Sequence, residues 1–140
     1  MNCLNLKEMI IPNSVTKIGK FCFFKCLNLT KIIIPNSAIK IGDYCFLDCT
    51  NLTKIIMPNS VKEIGENCFM NCKNLKEIII PNSVTKISDY CFYNCINLGA
   101  PSDLGTIVPV ESSILKEIII PNSVKEIGEN CFADCINLRN

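Results

Sequence analysis

The dominant feature of the sequence is an internal repeat with a period of 23. The tripeptide Pro-Asn-Ser begins at Pro12, Pro35, Pro58 and Pro81, which are equally spaced, and the next copy follows after a longer gap at Pro121. A unit this short cannot bury an apolar face by itself, so neighbouring units must stack on one another. The repeat therefore predicts a solenoid, and it restricts the possible folds more than any other property of the chain.

Each unit follows the pattern L-x-x-I-x-I-P-N-S-V-x-x-I-G-x-x-C-F-x-x-C-x-N. In the fourth unit, Ile78 and Ile80 alternate as on a strand and are expected to point inward. Pro81 then ends the strand, because proline has no N–H to give to a parallel ladder. The glycine of the pattern, replaced here by Ser88, predicts a tight bend. One strand followed by a corner is thus expected in every unit.

The repeat unit also resembles a known family. Its core, Leu-x-x-Ile-x-Ile-Pro-x-x-Val-x-x-Ile-Gly-x-x-x-Phe-x-x-Cys, looks like the BspA-like (Treponema pallidum-type) leucine-rich repeat, over nearly the whole chain except 99–114. The resemblance implies a right-handed leucine-rich-repeat solenoid, mainly β, with a parallel sheet on the concave face and short strands or turns opposite. It also implies a role in cell adhesion or protein binding. Two positions depart from the family pattern, since Cys replaces the Ala before Phe and Ile replaces a small polar strand residue.

The chain is predicted to be one solenoid domain with a single irregular segment. Two interpretations of that segment stay open. It is a degenerate coil, because Leu104-x-x-Ile107-Val108-Pro109 echoes the strand, or an insertion, because removing residues 98–114 restores the repeat in register. Insertions in solenoids form loops that often carry function, so its side chains are candidates for binding. The coils are 6–28, 29–51, 52–74, 75–97 and 115–137, and the candidate residues are Asp103, Leu104, Ile107, Val108 and Glu111.

A column of isoleucines is the second candidate binding surface. Because Ile78 and Ile80 point inward, Ile79 between them is expected to face outward, and its equivalents form a stripe on the order of a few hundred Å². The alternative is that a β-branched ladder packs on itself and needs no ligand. A charged column beside it is expected to set like charges in neighbouring coils. The isoleucines are Ile10, Ile33, Ile56, Ile79 and Ile119, and the charged column is Glu8, Lys31, Lys54, Glu77 and Glu117.

Eleven cysteines form five C-x-x-x-C pairs, with Cys3 left over. One interpretation is that both columns are small buried apolar groups. Disulfides between coils are a second, although equivalent side chains run parallel and the odd count argues against full pairing. Zinc sites are a third, although the spacing is not that of a zinc knuckle. We expect no metal site and no cofactor. The asparagine columns, which begin at Asn13 and Asn28, are expected to bond backbone groups at the turns.

Composition excludes several classes of function. The chain has no histidine, which removes Ser-His and Cys-His nucleophile pairs, and no nucleophile–base pair or phosphate-binding loop is seen. A net charge of +1 lacks the strong positive excess that is typical of nucleic-acid-binding proteins. No apolar run is long enough to span a bilayer. The sequence thus predicts a non-catalytic protein-interaction module with an unknown protein ligand. The alternatives are a structural or self-assembling array and a thiol or zinc protein built on the cysteines.

The ends of the chain lie inside repeats rather than at polar caps. This predicts a segment of a longer array, or self-association through uncapped ends. The sequence is compatible with two cellular compartments. Thiols and the lack of a signal-peptide pattern at the N-terminus favour the cytoplasm, whereas the family resemblance favours the cell surface.

Overall fold

The strands of the molecule form two parallel sheets, one on each of two faces of a solenoid. The structure is a computed structural model that describes residue 3, residues 5–99 and residues 118–138. The first sheet has the order β1-β3-β5 and the second β2-β4-β6-β7-β8, and no helix occurs in these ranges. The predicted leucine-rich-repeat solenoid is confirmed. The strands are β1 (Glu8–Ile10), β2 (Lys17–Ile18), β3 (Lys31–Ile33), β4 (Lys40–Ile41), β5 (Lys54–Ile56), β6 (Glu63–Ile64), β7 (Lys86–Ile87) and β8 (Glu126–Ile127).

Equivalent residues of successive coils lie directly beside each other. In the first sheet Met9 pairs with Ile32, and Ile32 pairs with Ile55, each step being one full coil of the repeat. The buried side chains of this column, Ile32 and Ile55, point to the interior as strand alternation requires. A proline lies just beyond each strand of the first sheet, and the residue three positions later donates its N–H to the proline carbonyl, as Ala38 does to Pro35 at 3.0 Å.

The last described coil stacks directly on the coil of residues 75–97. In the second sheet Lys86 pairs with Glu126 and Ile87 pairs with Ile127, so these partners lie farther apart along the chain than one regular period. The rings of Phe92 and Phe132 are stacked across the same junction at 5.3 Å. The two regular coils are therefore direct neighbours, which is the arrangement that an insertion between them requires. Residues 100–117 themselves lie outside the described residues.

A stack of phenylalanine rings runs through the core. Successive centroids are 5.2 to 5.3 Å apart and the planes are within 9° of parallel. Parallel rings at this distance are offset rather than eclipsed, which is a favourable arrangement of their quadrupoles. The three inner rings are completely buried, so each contributes its full apolar area to the stack. The column is Phe23, Phe46, Phe69, Phe92 and Phe132.

Each coil turns through two residues in the left-handed conformation. In the third coil these are Asn67 and Asn71, with φ of 51° and 61°, and they flank Cys68 and Phe69. Asparagine tolerates this conformation better than most residues, but other coils place aromatic residues there, such as Tyr44 and Tyr90. Stacking between coils holds these strained positions. The sequence analysis missed them, although the asparagines of the third coil were a usable signal.

Two glycines of the repeat lie where successive coils approach closely. A Cβ built on Gly65 lies 2.6 Å from the backbone nitrogen of Asp43 in the preceding coil, and one on Gly42 lies 2.7 Å from the carbonyl carbon of Gly19. Glycine therefore permits close approach of two coils here, a role that the expectation of a tight bend did not include, while Ser88 occupies the equivalent position in the fourth coil. Gly19 belongs to the first coil and has no atom within 4 Å of its built Cβ.

The asparagine columns divide into two kinds. Asn51 donates from Nδ2 to the carbonyl of Leu27 at 2.7 Å, as expected, while Asn74 donates instead to the side-chain oxygen of Asn51 at 3.2 Å. In the Pro-Asn-Ser turn the asparagines are exposed, and in two coils the serine makes the bond between coils, whereas the hydroxyls of Ser60 and Ser123 are buried without a hydrogen-bond partner. Ser37 donates to Val15 at 2.6 Å, and Ser83 donates to Val61 at 2.6 Å.

We predict that Gly65→Ala is destabilising and that Gly19→Ala is not. The added methyl of Gly65→Ala meets backbone atoms of the preceding coil, which cannot rotate away, so we expect the free energy of unfolding to fall by about 1–3 kcal/mol. Gly19→Ala adds the same methyl in open space and is the matched control. Urea denaturation of the two variants measures the difference, and equal stability would contradict the close-approach argument.

Candidate interaction surface

Five isoleucines occupy the outward position of the strand segment in the regular coils, three of them on the first sheet, and we call this set the isoleucine ladder. Ile10 pairs with Ile33, and Ile33 with Ile56, in register across three strands. Ile10, Ile56, Ile79 and Ile119 are exposed, with 71%, 41%, 72% and 78% of their surface accessible, and Ile33 between two strands is half-buried.

The outward direction of the ladder follows from strand alternation. Ile55 is 6% exposed and its chain neighbour Ile56 is 41% exposed, so successive residues face opposite sides of the sheet. Neighbouring strands lie about 4.8 Å apart, which sets the spacing of the ladder. A continuous apolar stripe of this kind reaches the range, on the order of a few hundred Å², at which exposed patches on soluble proteins begin to mark interaction sites.

Charged residues flank the ladder. Glu8 pairs in register with Lys31, Lys31 with Lys54, and Lys54 forms a parallel bridge to Glu77. Two of these three neighbouring pairs carry opposite charges. The expectation of like charges in neighbouring coils is therefore right only for Lys31 and Lys54, and Glu117 lies outside the described residues.

The second group of candidates cannot be placed on this surface. Asp103, Leu104, Ile107, Val108 and Glu111 lie outside the described residues. The described residues just before this segment belong to the stack. Leu98 is fully buried, and Gly99, with φ of 81°, donates its N–H to the carbonyl of Lys76 at 3.0 Å.

The cysteines line the core on both sides of the phenylalanine stack. Each is a free thiol, and among the described residues only Cys22 is exposed. In the second column of each C-x-x-x-C pair, the thiol donates to the carbonyl of the phenylalanine one coil earlier. Cys49 reaches Phe23 at 3.0 Å, and the same bond recurs in three more coils, made by Cys72, Cys95 and Cys135.

Burial governs the chemistry of these thiols. Desolvation raises the pKa of Cys49 to about 12 and that of Cys135 to about 11, and it raises the pKa of Cys68 and Cys72 further. A thiol with a raised pKa stays protonated near neutral pH and is a poor nucleophile and metal ligand. Within the described residues, no group of three or more Cys, Asp or Glu side chains is arranged to hold a metal ion.

The chain matches a family model described as a BspA-type leucine-rich repeat region. The match contains six copies of the repeat and covers residues 1–101 and 110–140. Residues 102–109, which fall within the irregular segment, are outside it. No protein with a curated description matches the chain.

Several solved structures are similar to the solenoid. A leucine-rich repeat protein of Treponema pallidum aligns over 95% of this chain with 28% identity and a TM-score of 0.81. A leucine-rich cell surface protein of Faecalibacterium prausnitzii aligns over 95% with 32% identity and a TM-score of 0.80. A leucine-rich repeat protein of Bacteroides ovatus aligns over 96% with 29% identity and a TM-score of 0.70.

These relatives are longer than the chain. The alignments cover 56% of the Treponema protein, 31% of the Faecalibacterium protein and 36% of the Bacteroides protein. Among the residues that the structure describes, no helix has the length and apolar character that crossing a bilayer requires.

We predict that the molecule loses stability as the pH rises through the range in which unfolded thiols ionise. Burial raises the pKa of thiols such as Cys68, Cys72 and Cys95 in the folded state, so the unfolded chain releases protons that the folded chain keeps. Their stabilising contribution is complete below about pH 8, and each thiol then costs about 1.4 kcal/mol per pH unit as the pH rises.

Urea denaturation in the presence of a reductant at about pH 8 and pH 10 tests this prediction. Cys72→Ala is the control, because it removes one titrating thiol and should reduce the pH dependence by one proton. A free energy of unfolding that stays constant over this range would contradict it. A thiol count on denatured, unreduced protein tests the disulfide alternative in the same samples.

Proposed function

Because the chain belongs to the BspA-type leucine-rich repeat family, we propose that it is a non-catalytic protein–protein interaction module that binds through the isoleucine ladder. Repeat solenoids of this kind commonly use an extended sheet face to contact other proteins. The proposal concerns this chain, which covers 56% or less of the three solved relatives named above.

The observation that supports this proposal is the exposure of the isoleucine ladder. Ile79 and Ile119 each leave more than 70% of their surface in contact with water, although Ile78 and Ile80 on either side of Ile79 are buried. A single exposed isoleucine needs no explanation, but a column that is repeated in register does. Covering it with an apolar partner surface would release about 25 cal/mol for every Å² removed from water.

The charged columns suit such an interface. A hydrophobic centre with a polar rim is the usual anatomy of protein–protein contacts, and rim charges select the partner and its orientation. Glu8 and Lys54 lie beside the ladder and are exposed. We assign the residues of the 98–114 segment, including Asp103 and Ile107, a role in modulating this recognition.

Location and activity are part of the same proposal. One of the similar structures is described as a cell surface protein, and we propose a surface role of adhesion or scaffold type for this chain. The proposal includes no catalytic role. The sequence lacks histidine, and the buried thiols are held protonated by desolvation.

A self-assembling array is the second candidate function. It is favoured by the same isoleucine ladder, because a second copy of this chain offers an equivalent apolar surface to cover it.

We predict that Ile56→Asp combined with Ile79→Asp abolishes capture of a protein partner. The two carboxylates fall in the middle of the apolar stripe and would have to be desolvated on binding, so we expect at least a tenfold loss of captured partner. Affinity capture with mass spectrometry, on extracts of the source organism, compares this variant with the unmodified chain.

Ile39→Asp is the matched control, because Ile39 is 46% exposed but lies outside the ladder. It should retain the partner. Deleting residues 98–114 separates the two candidate surfaces, since a partner lost only in the deletion variant assigns recognition to that segment. Equal capture by all the variants would contradict binding through the ladder, and circular dichroism verifies that each variant is folded.

A further inference from the structure

The corner of the solenoid that carries the C-x-x-x-C pairs has an acidic and aromatic outer surface, and we propose that this surface binds a lysine- or arginine-rich segment of a partner protein. We call it the corner face, and it consists of residues 43–48, 66–71 and 89–94. These residues belong to three inner coils, each with a described coil on both sides. The corner face does not include the isoleucine ladder, so this inference goes beyond the proposed function.

Acidic residues are concentrated on the corner face. It contains four carboxylates and no lysine or arginine, although the whole chain has 14 basic and 13 acidic residues. Three of the carboxylates form a column with one member in each inner coil, so that neighbours in the column carry like charges. A cation placed beside this column is attracted by more than one carboxylate at once. The column is Asp43, Glu66 and Asp89, and the fourth carboxylate is Asp48.

Two contacts within the chain show how a cation is held at this corner. Lys20 lies one coil before Asp43, and its Nζ is 3.2 Å from Oδ2 of that carboxylate. Lys25 places its Nζ 5.1 Å from the centroid of the Phe24 ring, within the distance of about 6 Å at which a cation is attracted to a ring face. The chain thus uses its own lysines to contact one carboxylate and one aromatic ring of the corner.

The fourth coil repeats the aromatic pair of the first coil. The rings of Tyr90 and Tyr93 meet edge to face with centroids 5.7 Å apart, as the rings of Phe21 and Phe24 do at 5.7 Å. Tyr90 is 37% exposed although a described coil lies on either side of it. The outer surface of this tyrosine pair is therefore accessible to a ligand.

An acid and an amide replace the two lysines around the tyrosine pair. Asp89 and Asn94 occupy the positions that Lys20 and Lys25 occupy in the first coil. In the part of the chain that the structure describes, no lysine forms an ion pair with Asp89 or with Glu66 of the preceding coil. A basic side chain of a partner therefore meets the same two kinds of group that the lysines of the first coil contact, an aromatic ring and a carboxylate.

Backbone conformation does not account for tyrosine at this corner. Tyr44 and Tyr90 have φ of 57° and 54°, in a left-handed conformation that asparagine adopts more readily than an aromatic residue. The equivalent residues of two other coils are Asn67 and Asn130. What tyrosine adds over asparagine is an aromatic ring on the outer surface, which is a group that a cation recognises.

Charge complementarity and the exposed rings together identify the kind of partner. A guanidinium group stacks on an aromatic ring and also binds carboxylates, so one arginine uses both kinds of group, and a lysine uses them as a point charge. Successive coils lie about 4.8 Å apart, so a segment with several basic residues contacts carboxylates of more than one coil. Opposite charges on the two surfaces also accelerate their association and select its orientation.

Fluorescence anisotropy with a labelled octa-arginine peptide tests this proposal, and octaglutamate is the control peptide. We expect the unmodified chain to bind octa-arginine at low salt, to bind it less tightly as salt is added, and not to bind octaglutamate. The first variant is Tyr90→Asn with Tyr93→Ala, which gives the fourth coil the residues that the last coil has at Asn130 and Ala133, so these residues have a precedent in the repeat. We expect its dissociation constant for octa-arginine to rise about fivefold.

The second variant, Glu66→Gln with Asp89→Asn, removes two carboxylates but keeps a carbonyl oxygen at each position. We expect its dissociation constant to rise about tenfold. Glu8→Gln with Glu63→Gln is the matched control, because it changes the net charge equally but outside the corner face. It should bind octa-arginine like the unmodified chain, and circular dichroism verifies that each variant is folded.

Loss of affinity in both corner-face variants, with the control unchanged, supports the proposal. An unmodified chain that does not bind octa-arginine at low salt would overturn it. An equal loss in the control would also overturn it, because binding would then depend on net charge alone. Full affinity in the tyrosine variant would show that the rings take no part, and would likewise overturn the proposed site.

Discussion

Backbone hydrogen bonds between equivalent residues of successive coils are the interaction on which the rest of the structure depends. They occur at corners as well as in strands. Phe46 donates its N–H to Cys68, and Phe69 to Cys91, both at 2.8 Å. The bonds hold neighbouring coils at one fixed distance, because backbone geometry leaves little freedom. Every side chain in a column must then suit a neighbour that is one coil away.

That fixed distance explains the residues that the repeat tolerates. Phenylalanine rings fit it as an offset stack, cysteine thiols reach a carbonyl of the preceding coil, and glycine suits places such as Gly65 where two backbones nearly touch. The left-handed turn residues are strained one by one, but in the first four regular coils each donates its backbone N–H to a carbonyl of the following coil, as Tyr44 does to Glu66 at 2.8 Å. Cooperation between coils, rather than the preference of any single residue, stabilises this turn.

Because the distance between coils is fixed, a residue that is repeated at an outward position forms a continuous column on the surface. Isoleucine at the outward strand position becomes the isoleucine ladder, a feature that favours a partner lying along the sheet.

The sequence by itself determined the fold class, the coil length and the identity of the inward and outward columns, because a period of 23 and an alternation of two are properties of the chain. It also identified the outward isoleucines. Only the tertiary structure decided how neighbouring coils meet. It assigned the role of the glycines to close approach, the turn bonds to Ser37 and Ser83 rather than to the asparagines beside them, and the neighbour of Lys86 to Glu126. These facts depend on distances between coils, and spacing along one chain does not specify such distances.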